Sequence, residues 1–331
     1  MSSNVKCSVI LTVFKRTQFI DNALASLENQ NLDRDQFEVI LISNIQVKLQ
    51  RTYNIDLKII FSDRLTLAGK IVQGIMLAKN EVIAFLEDDD IYSPEKLSNV
   101  VMAFNHYPNL TYYHNNHHHF RNMHEIDKIW EIHENKRDKE NFVLLNTKHA
   151  SNKKIDMKCI TDSRADYNLS SMAFRKEFIY SYASIISNLH TRYVDSFLFF
   201  LVFYKGNIIM VDNKVLTLIR IHSMNGSQSV VFSKQPSPQI PYSDDMESVV
   251  TALINNDLQK EYLVEKWIKT RGLDDLIKSN SVSRRYVTIT ILSLLIQYKL
   301  DFAFSDVFQK ALLYIISPYL MQRALIKFHK S

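Results

Sequence analysis

Apolar residues fall in near-continuous runs along the first 110 residues, at Ser8–Val13, Phe37–Ile42 and Val82–Leu86, with a weaker run at Lys58–Phe61. Runs without polar alternation predict strands covered on both faces. Between them, Phe19–Asn29 and Leu67–Lys79 repeat apolar residues at three- and four-residue steps, the helical period. Strand and helix in alternation imply parallel strands joined by crossover helices, an α/β fold. Another helix is predicted after Val82–Leu86, with Ser93 as its N-cap, Pro94 in its first turn and Glu95 favouring its dipole.

From His114 to about Tyr167 this pattern dissolves into polar, histidine- and lysine-rich sequence, which reads as irregular. Order returns with a strand at Ser170–Arg175, a helix near Lys176–Asn188, an apolar helix at Asp195–Lys205, and strands at Asn207–Val211 and Leu216–Ile221. Three of the six prolines lie in Ser233–Ser243, which reads as a linker. The expected organisation is a first domain over 1–232, with a division near residue 114, and a helical C-terminal region over 244–331.

Composition removes several function classes. The five glycines, Gly69, Gly74, Gly206, Gly226 and Gly272, form neither G-x-G-x-x-G nor G-x-x-x-x-G-K-[ST]. Both motifs need glycine so that backbone N–H groups can crowd a phosphate. A phosphorylated ligand would therefore be held by side chains or a metal. A net charge of +5 falls short of a nucleic-acid binder's basic excess, so no nucleic-acid partner is expected. Two cysteines, Cys7 and Cys159, are too few for a disulfide scaffold and favour a reducing compartment. The N-terminal apolar run reads as a strand rather than a signal peptide, and no stretch reaches the 18 or so apolar residues of a spanning helix. The expectation is a cytoplasmic protein, soluble or peripheral at the cytoplasmic face of a membrane.

The chemistry concentrates at Glu87-Asp88-Asp89-Asp90, four acids directly after a buried strand. In open parallel sheets, ligands bind beyond the carboxyl ends of strands. With extended geometry, Glu87 and Asp89 would point one way and Asp88 and Asp90 the other. Four adjacent anions repel one another unless a cation neutralises them. Hard divalent ions take carboxylate oxygens and complete their shell with water and substrate phosphates. A solvated acidic loop before a helix is the plainer alternative.

The segment Phe85-Leu-Glu-Asp-Asp-Asp-Ile-Tyr-Ser-Pro-Glu-Lys-Leu97 resembles the D-x-D segment of family 2 glycosyltransferases, which have the GT-A fold. Ser8-Val-Ile-Leu-Thr-Val-Phe-Lys-Arg16 is similar to that family's opening strand, and Phe37-Glu-Val-Ile-Leu-Ile42 to its second. Arg220-Ile-His222 with Asn225 and Ser227 is similar to its late R-x-H-x-x-N-x-S segment. The likeness spans residues 8–228 in family order.

The resemblance implies a GT-A-type open, mostly parallel sheet flanked by helices, with a helical C-terminal extension. It implies a nucleoside-diphosphate sugar as donor, bound mainly within residues 1–114, and a glycan or lipid-linked acceptor bound within 115–232. Thr12, Val13 and Arg16 would contact the nucleoside. Asp88 would hold the ribose, and Asp89 or Asp90 would hold Mn²⁺ or Mg²⁺ on the pyrophosphate. Ser43-Asn44 stands where the family has a base-reading acid, which leaves the nucleobase open, and Glu87 replaces the usual first aspartate. Lys70 is a further donor-contact candidate. Inverting transfer needs a general base, and Asp195 matches the family's aspartate at the start of a late helix, where it would otherwise serve as an N-cap. His222 would ligate the metal through a neutral ring nitrogen, and Arg220 would neutralise the departing diphosphate.

His114, His117, His118, His119 and His124 lack the cysteines and helical spacing of a zinc site and read as a polar acceptor-side loop. Val307, Phe308, Ala311, Leu312, Ile315, Ile316, Tyr319 and Leu320 share a helical face, followed by Arg323, Lys327 and Lys330. That face suits either an anionic membrane surface or packing against the catalytic domain or a second subunit. Two other functions are compatible with the acidic segment: a sugar-phosphate nucleotidyltransferase, and a non-catalytic nucleotide-sugar-binding module.

Overall fold

The computed structural model describes residues 5–14, 16–134, 142–147, 164–189, 194–205 and 207–222. Residues 1–189 and 193–222 form one compact unit, and residues 190–192 and 223–331 a second. The linker, the C-terminal helical region, Cys159, Asn225 and Ser227 all lie outside the described residues.

β1 (Cys7–Val13), β2 (Phe37–Ser43) and β4 (Val82–Glu87) are the three strongest apolar runs, almost wholly buried. β1 pairs in parallel with both of the others, and β3 (Leu57–Phe61) adds in parallel to β2. Alternation divides β1 between two layers. Cys7, Val9, Leu11 and Val13 pack with Leu24 and Leu27 of α1 (Ile20–Glu28) and Leu97, Val100 and Phe104 of α3 (Lys96–His106). Ile10 faces α2 (Leu67–Leu77) on the opposite layer. Gly74 allows that approach, because a Cβ there would stand 2.6 Å from Ile10 Cγ2.

The other half of the sheet joins through β8 (Met172–Arg175), antiparallel to β4 and to β6 (Leu110–Phe120). β9 (Ile208–Arg220) runs parallel to β6, while β7 (Phe142–Asn146) and the two-residue β5 (Ile91–Tyr92) pair antiparallel with β9. The order is β3-β2-β1-β4-β8-β6-β9-β5, with β7 also on β9. The longer ladders are parallel, as the sequence predicts. α4 (Ile126–Glu134) covers β6 and β9 through Ile126 and Ile129 against Phe120 and Leu218. The short helices α5 (Lys176–Ser181) and α6 (Ala183–Ser187) lie beside α2, and α7 (Val194–Tyr204) beside β6.

Four expectations are corrected. The described residues after His114 are not all irregular: β6 runs through His114–His119, and α4 and β7 follow. β6 forms there because its backbone is paired with β9, whatever its side chains are, so polarity hides it. The predicted strands Asn207–Val211 and Leu216–Ile221 are one strand, β9, with two of its register shifts, opposite Asn115–His117, falling between them. The predicted helix Lys176–Asn188 is broken at Tyr182. Finally, α3 starts at Lys96 rather than at Pro94, and the buried Ser93 hydroxyl makes no hydrogen bond; the Ser93 carbonyl accepts from Lys96 N instead.

Candidate active site

The parallel strands β1, β2 and β4 end together, and the chain beyond each end supplies polar side chains. β4 stops at Glu87, where a turn is closed by Asp90 N donating to Glu87 O at 3.2 Å. The expected alternation of the four acids therefore fails. Asp88 and Asp89 instead share one cation: Arg16 Nη2 is 3.1 Å from Asp88 Oδ1 and also pairs with Asp89 Oδ2. On leaving the turn, β5 pairs with Leu218 and Thr217, which carries the acidic segment under the end of β9.

That pairing places the late basic residues over the early acidic ones. His222 Nε2 stands 2.8 Å from Asp89 Oδ2. Arg220 donates through Nε to Asp89 O at 3.1 Å and through Nη2 to Asn22 Oδ1 at 3.2 Å. Its guanidinium lies 4.5 Å from the rings of both Phe19 and Phe120, and Phe19 also packs on His222 at 4.9 Å. Such contacts hold the planar cation while leaving it charged.

Asp90 has a different environment. Its Oδ2 accepts from Ser170 Oγ at 2.6 Å and Asn168 Nδ2 at 3.3 Å, and its Oδ1 from Arg220 N at 3.2 Å. Burial, then the charge of Asp89, pushes its carboxyl up to about 8. Glu87 is likewise raised by burial and by the neighbouring acids, and its N–H donates to Ser170 Oγ. Asp88 is raised to about 7 by burial and Asp89, against the lowering effect of Arg16. Lys70, fully buried, donates to Val13 O at 2.6 Å and Asn44 Oδ1 at 3.2 Å, and burial lowers its ammonium to about 8. It thereby joins the ends of β1 and β2, where Thr12 and Val13 are buried in the strand.

Asp195 lies in the first turn of α7, with Oδ1 accepting from Ser196 N at 2.8 Å and Oδ2 from Asn168 N at 3.2 Å. The first contact is to the N–H of the next residue, and Asp195 stands inside the first turn rather than at the N-cap position, whose side chain would accept from two or three residues on. The second ties Asp195 to the segment that also holds Asp90. Asn168, Ser170, Asn22 and Phe19 were not singled out from the sequence, since each acts through a contact with a residue distant in the chain. The turn at Asn168 gives no local signal beyond asparagine's tolerance of positive φ, here 69°.

The residues present fit a divalent cation. Asp88 Oδ2 is buried with no hydrogen-bond partner, and the donor set of carboxylate oxygens with one imidazole suits Mn²⁺ or Mg²⁺. Among the described residues, no three His, Cys, Asp or Glu side chains converge on one metal position. Magnesium sites in phosphate-handling enzymes commonly use one or two carboxylates and leave the rest to substrate phosphates.

A family model described as Glycosyl transferase family 2 matches residues 8–181, from β1 through α5. The chain belongs to glycosyl transferase family 2. This glycosyltransferase has the GT-A fold, and solved structures agree. That of S. aureus TarS 1–349 in complex with UDP-GlcNAc superposes with a TM-score of 0.60 at 14% identity, over 87% of this chain and 81% of that one. A second structure of S. aureus TarS 1–349 gives 0.59 at 14% identity, over 88% and 80%. No curated protein matches the glycosyltransferase by sequence. No helix among its described residues is long and apolar enough to cross a membrane.

Proposed function

We propose that this glycosyltransferase acts with inversion, moving a sugar from a nucleoside-diphosphate sugar to a hydroxyl of a glycan or lipid-linked acceptor. The observation that carries the proposal is Asn168, whose backbone N–H holds Asp195 and whose amide holds Asp90. It sets a carboxylate for proton removal beside the acidic segment at the strand ends.

Asp195 accepts the proton of the acceptor hydroxyl as that oxygen attacks the anomeric carbon. The bond from that carbon to the diphosphate breaks, and the diphosphate leaves with the electron pair. Arg16 and Arg220 face the developing negative charge, each already oriented by aspartates. A divalent cation, when bound, supplies Lewis-acid stabilisation of the same charge. Asp89 and His222 would hold it as a pair, its remaining positions left to the donor's phosphates, with Asp88 beside them on Arg16 and Asp90 as the buried anchor. Lys70 and Asn44 line the donor side at the ends of β1 and β2. The TarS complex with UDP-GlcNAc supports a uridine nucleotide as the first donor to try.

The test is product formation from a panel of nucleoside-diphosphate sugars with Mn²⁺ or Mg²⁺, followed by mass spectrometry. Nucleoside diphosphate release that requires Asp195 and Asp89 supports the reading. Tight nucleotide binding without turnover under any condition replaces it with a binding module, and release of inorganic pyrophosphate with nucleotidyl transfer.

A further inference from the structure

A second cluster adjoins this site and takes no part in the transfer just described. His117 and His119 lie on the face of β6 that looks toward Tyr167. Their ring centroids are 5.5 Å apart, and the ring of His117 is 5.3 Å from that of Tyr167. The guanidinium of Arg164 lies 4.1 Å from the Tyr167 ring. His117 Nδ1 is buried without a hydrogen-bond partner. His114 Nδ1, three residues earlier on the same strand, is likewise buried without one, and buried polar atoms are nearly always paired, so such orphans point to a missing ligand, ion or water.

The charges say which kind. After burial itself, the strongest influences on His117 are His114, His119, Arg164 and His118, and on His119 they are Arg164 and His118. Burial first, and these basic neighbours after it, hold His117 down at about 3 and His119 below its ordinary value, so both rings stay neutral and Arg164 is the charged group beside them. Two neutral rings that can donate or accept and one guanidinium thus stand together, with no carboxylate among the four side chains. The cluster also borders the transfer site. The phenol of Tyr167, raised to about 12 chiefly by burial, is acted on by Arg164 from one direction and by Asp195, Asp90 and Glu87 from the other.

The segment carrying Arg164 and Tyr167 is held in place. Tyr112 Oη donates to Ala165 O at 2.6 Å, Ser196 Oγ donates to Asp166 O at 3.1 Å, and His114 Nε2 is 2.9 Å from Tyr167 O. It is bracketed by Arg164 at φ 50° and Asn168 at φ 69°, the two positive-φ non-glycine residues among those described.

We propose that His117, His119, Arg164 and Tyr167 form an acceptor subsite for an oxyanion, so that the acceptor is an anionic glycan carrying a phosphodiester or a carboxylate near the reacting hydroxyl. Ring N–H groups and the phenol donate to the oxyanion, and Arg164 supplies the opposing charge. This rests on the reading of Asp195 as the acceptor-side base.

The full chain, with ¹⁵N-labelled histidine, is titrated with dimethyl phosphate and separately with methyl glucuronide. The expected result is a saturable shift of the His117 and His119 ring resonances while exposed His124 stays put. Arg164→Gln should weaken binding by about tenfold, the loss of one charge-assisted hydrogen bond, and Arg164→Lys by less. The tighter probe identifies the source of the oxyanion. Nucleoside diphosphate binding, followed by thermal shift, should persist in both Arg164 variants and shows that they fold. Unmoved His117 and His119 resonances with both probes, or equal affinities in wild type and Arg164→Gln, overturn the proposal. The transfer reading fails by a different result: no nucleoside diphosphate binds the wild-type chain. In that case saturable probe binding still shows an oxyanion site, and its role as an acceptor subsite is overturned.

Discussion

The backbone N–H of Asn168 donates to Asp195 Oδ2 at 3.2 Å from a residue with φ 69°. The bond exists only because the chain turns through the left-handed region there, which asparagine and glycine tolerate better than alanine. Asn168→Gly keeps the turn and the N–H to Asp195 and loses the side-chain contacts, the amide N–H on Asp90 and the long bond accepted from Ser171 Oγ. Asn168→Ala loses the amide and strains the turn as well. The expected order of stability is wild type, then Gly, then Ala, with the last two separated by about 1 kcal/mol. Urea midpoints at equal m-values check it, and equal stability of the two variants contradicts the argument.

Removing the base and removing the cation-facing carboxylate should have separable effects. Asp195→Asn leaves nucleotide binding in place and lowers transfer by about 10²- to 10⁴-fold, the range for a general base. Asp89→Asn should instead abolish the metal-dependent part of nucleotide binding. Thermal shift with nucleoside diphosphate, with and without Mn²⁺, distinguishes them. Loss of metal-dependent binding in Asp195→Asn would show that Asp195 shapes the donor site.

Gly74 is a packing residue. A Cβ would meet three side-chain atoms of the fully buried Ile10 at 2.6–2.9 Å. Overpacking of this kind costs about 1–3 kcal/mol, more than the 0.5–1 kcal/mol of helix propensity alanine gains over glycine. Gly74→Ala should lower the melting temperature, and pairing it with Ile10→Val should return part of the loss. A stabilised Gly74→Ala would mean that α2 shifts freely over β1.

Lys96 lies wholly inside the first core layer, where its Nζ donates to Asn115 Oδ1 and to Ser171 O and faces the rings of Tyr92 and Tyr113. Burial lowers its ammonium to about 7 from an ordinary 10.5. Between those values the unfolded chain binds more protons than the folded one, so this residue's contribution to stability rises with pH from about 7 to about 10. In Lys96→Met that rise should be absent, and chemical denaturation at pH 7 and pH 9.5 checks it. Parallel pH dependence in wild type and variant would contradict the lowered ammonium.

The strands β1, β2, β3 and β4 and the helices between them could be read from the chain because each carries its own signal. Continuous apolar runs mark strands buried on both faces, and the 3.6-residue period marks α1 and α2. The acidic segment was legible for the same reason: Glu87–Asp90 are adjacent in the chain. So was the pairing in family order of that segment with Arg220 and His222. What the chain did not announce was β6. Its His114–His119 half is polar along the sequence yet belongs to the longest ladder in the sheet, opposite β9.

By itself, then, the sequence determined the alternating α/β half of the sheet, the residue types of the site and their likeness to a family, because those depend on neighbours close in the chain. The tertiary structure alone decided which carboxylates meet. A turn at Glu87 set Asp88 and Asp89 on Arg16, β5 drew the segment beneath His222, and Asn168 linked Asp90 to Asp195. It also turned a run of histidines into one wall of a basic cluster. Those contacts join residues tens to more than a hundred positions apart, and no local preference encodes them. They follow from strand pairing and burial, which act on the folded chain as a whole.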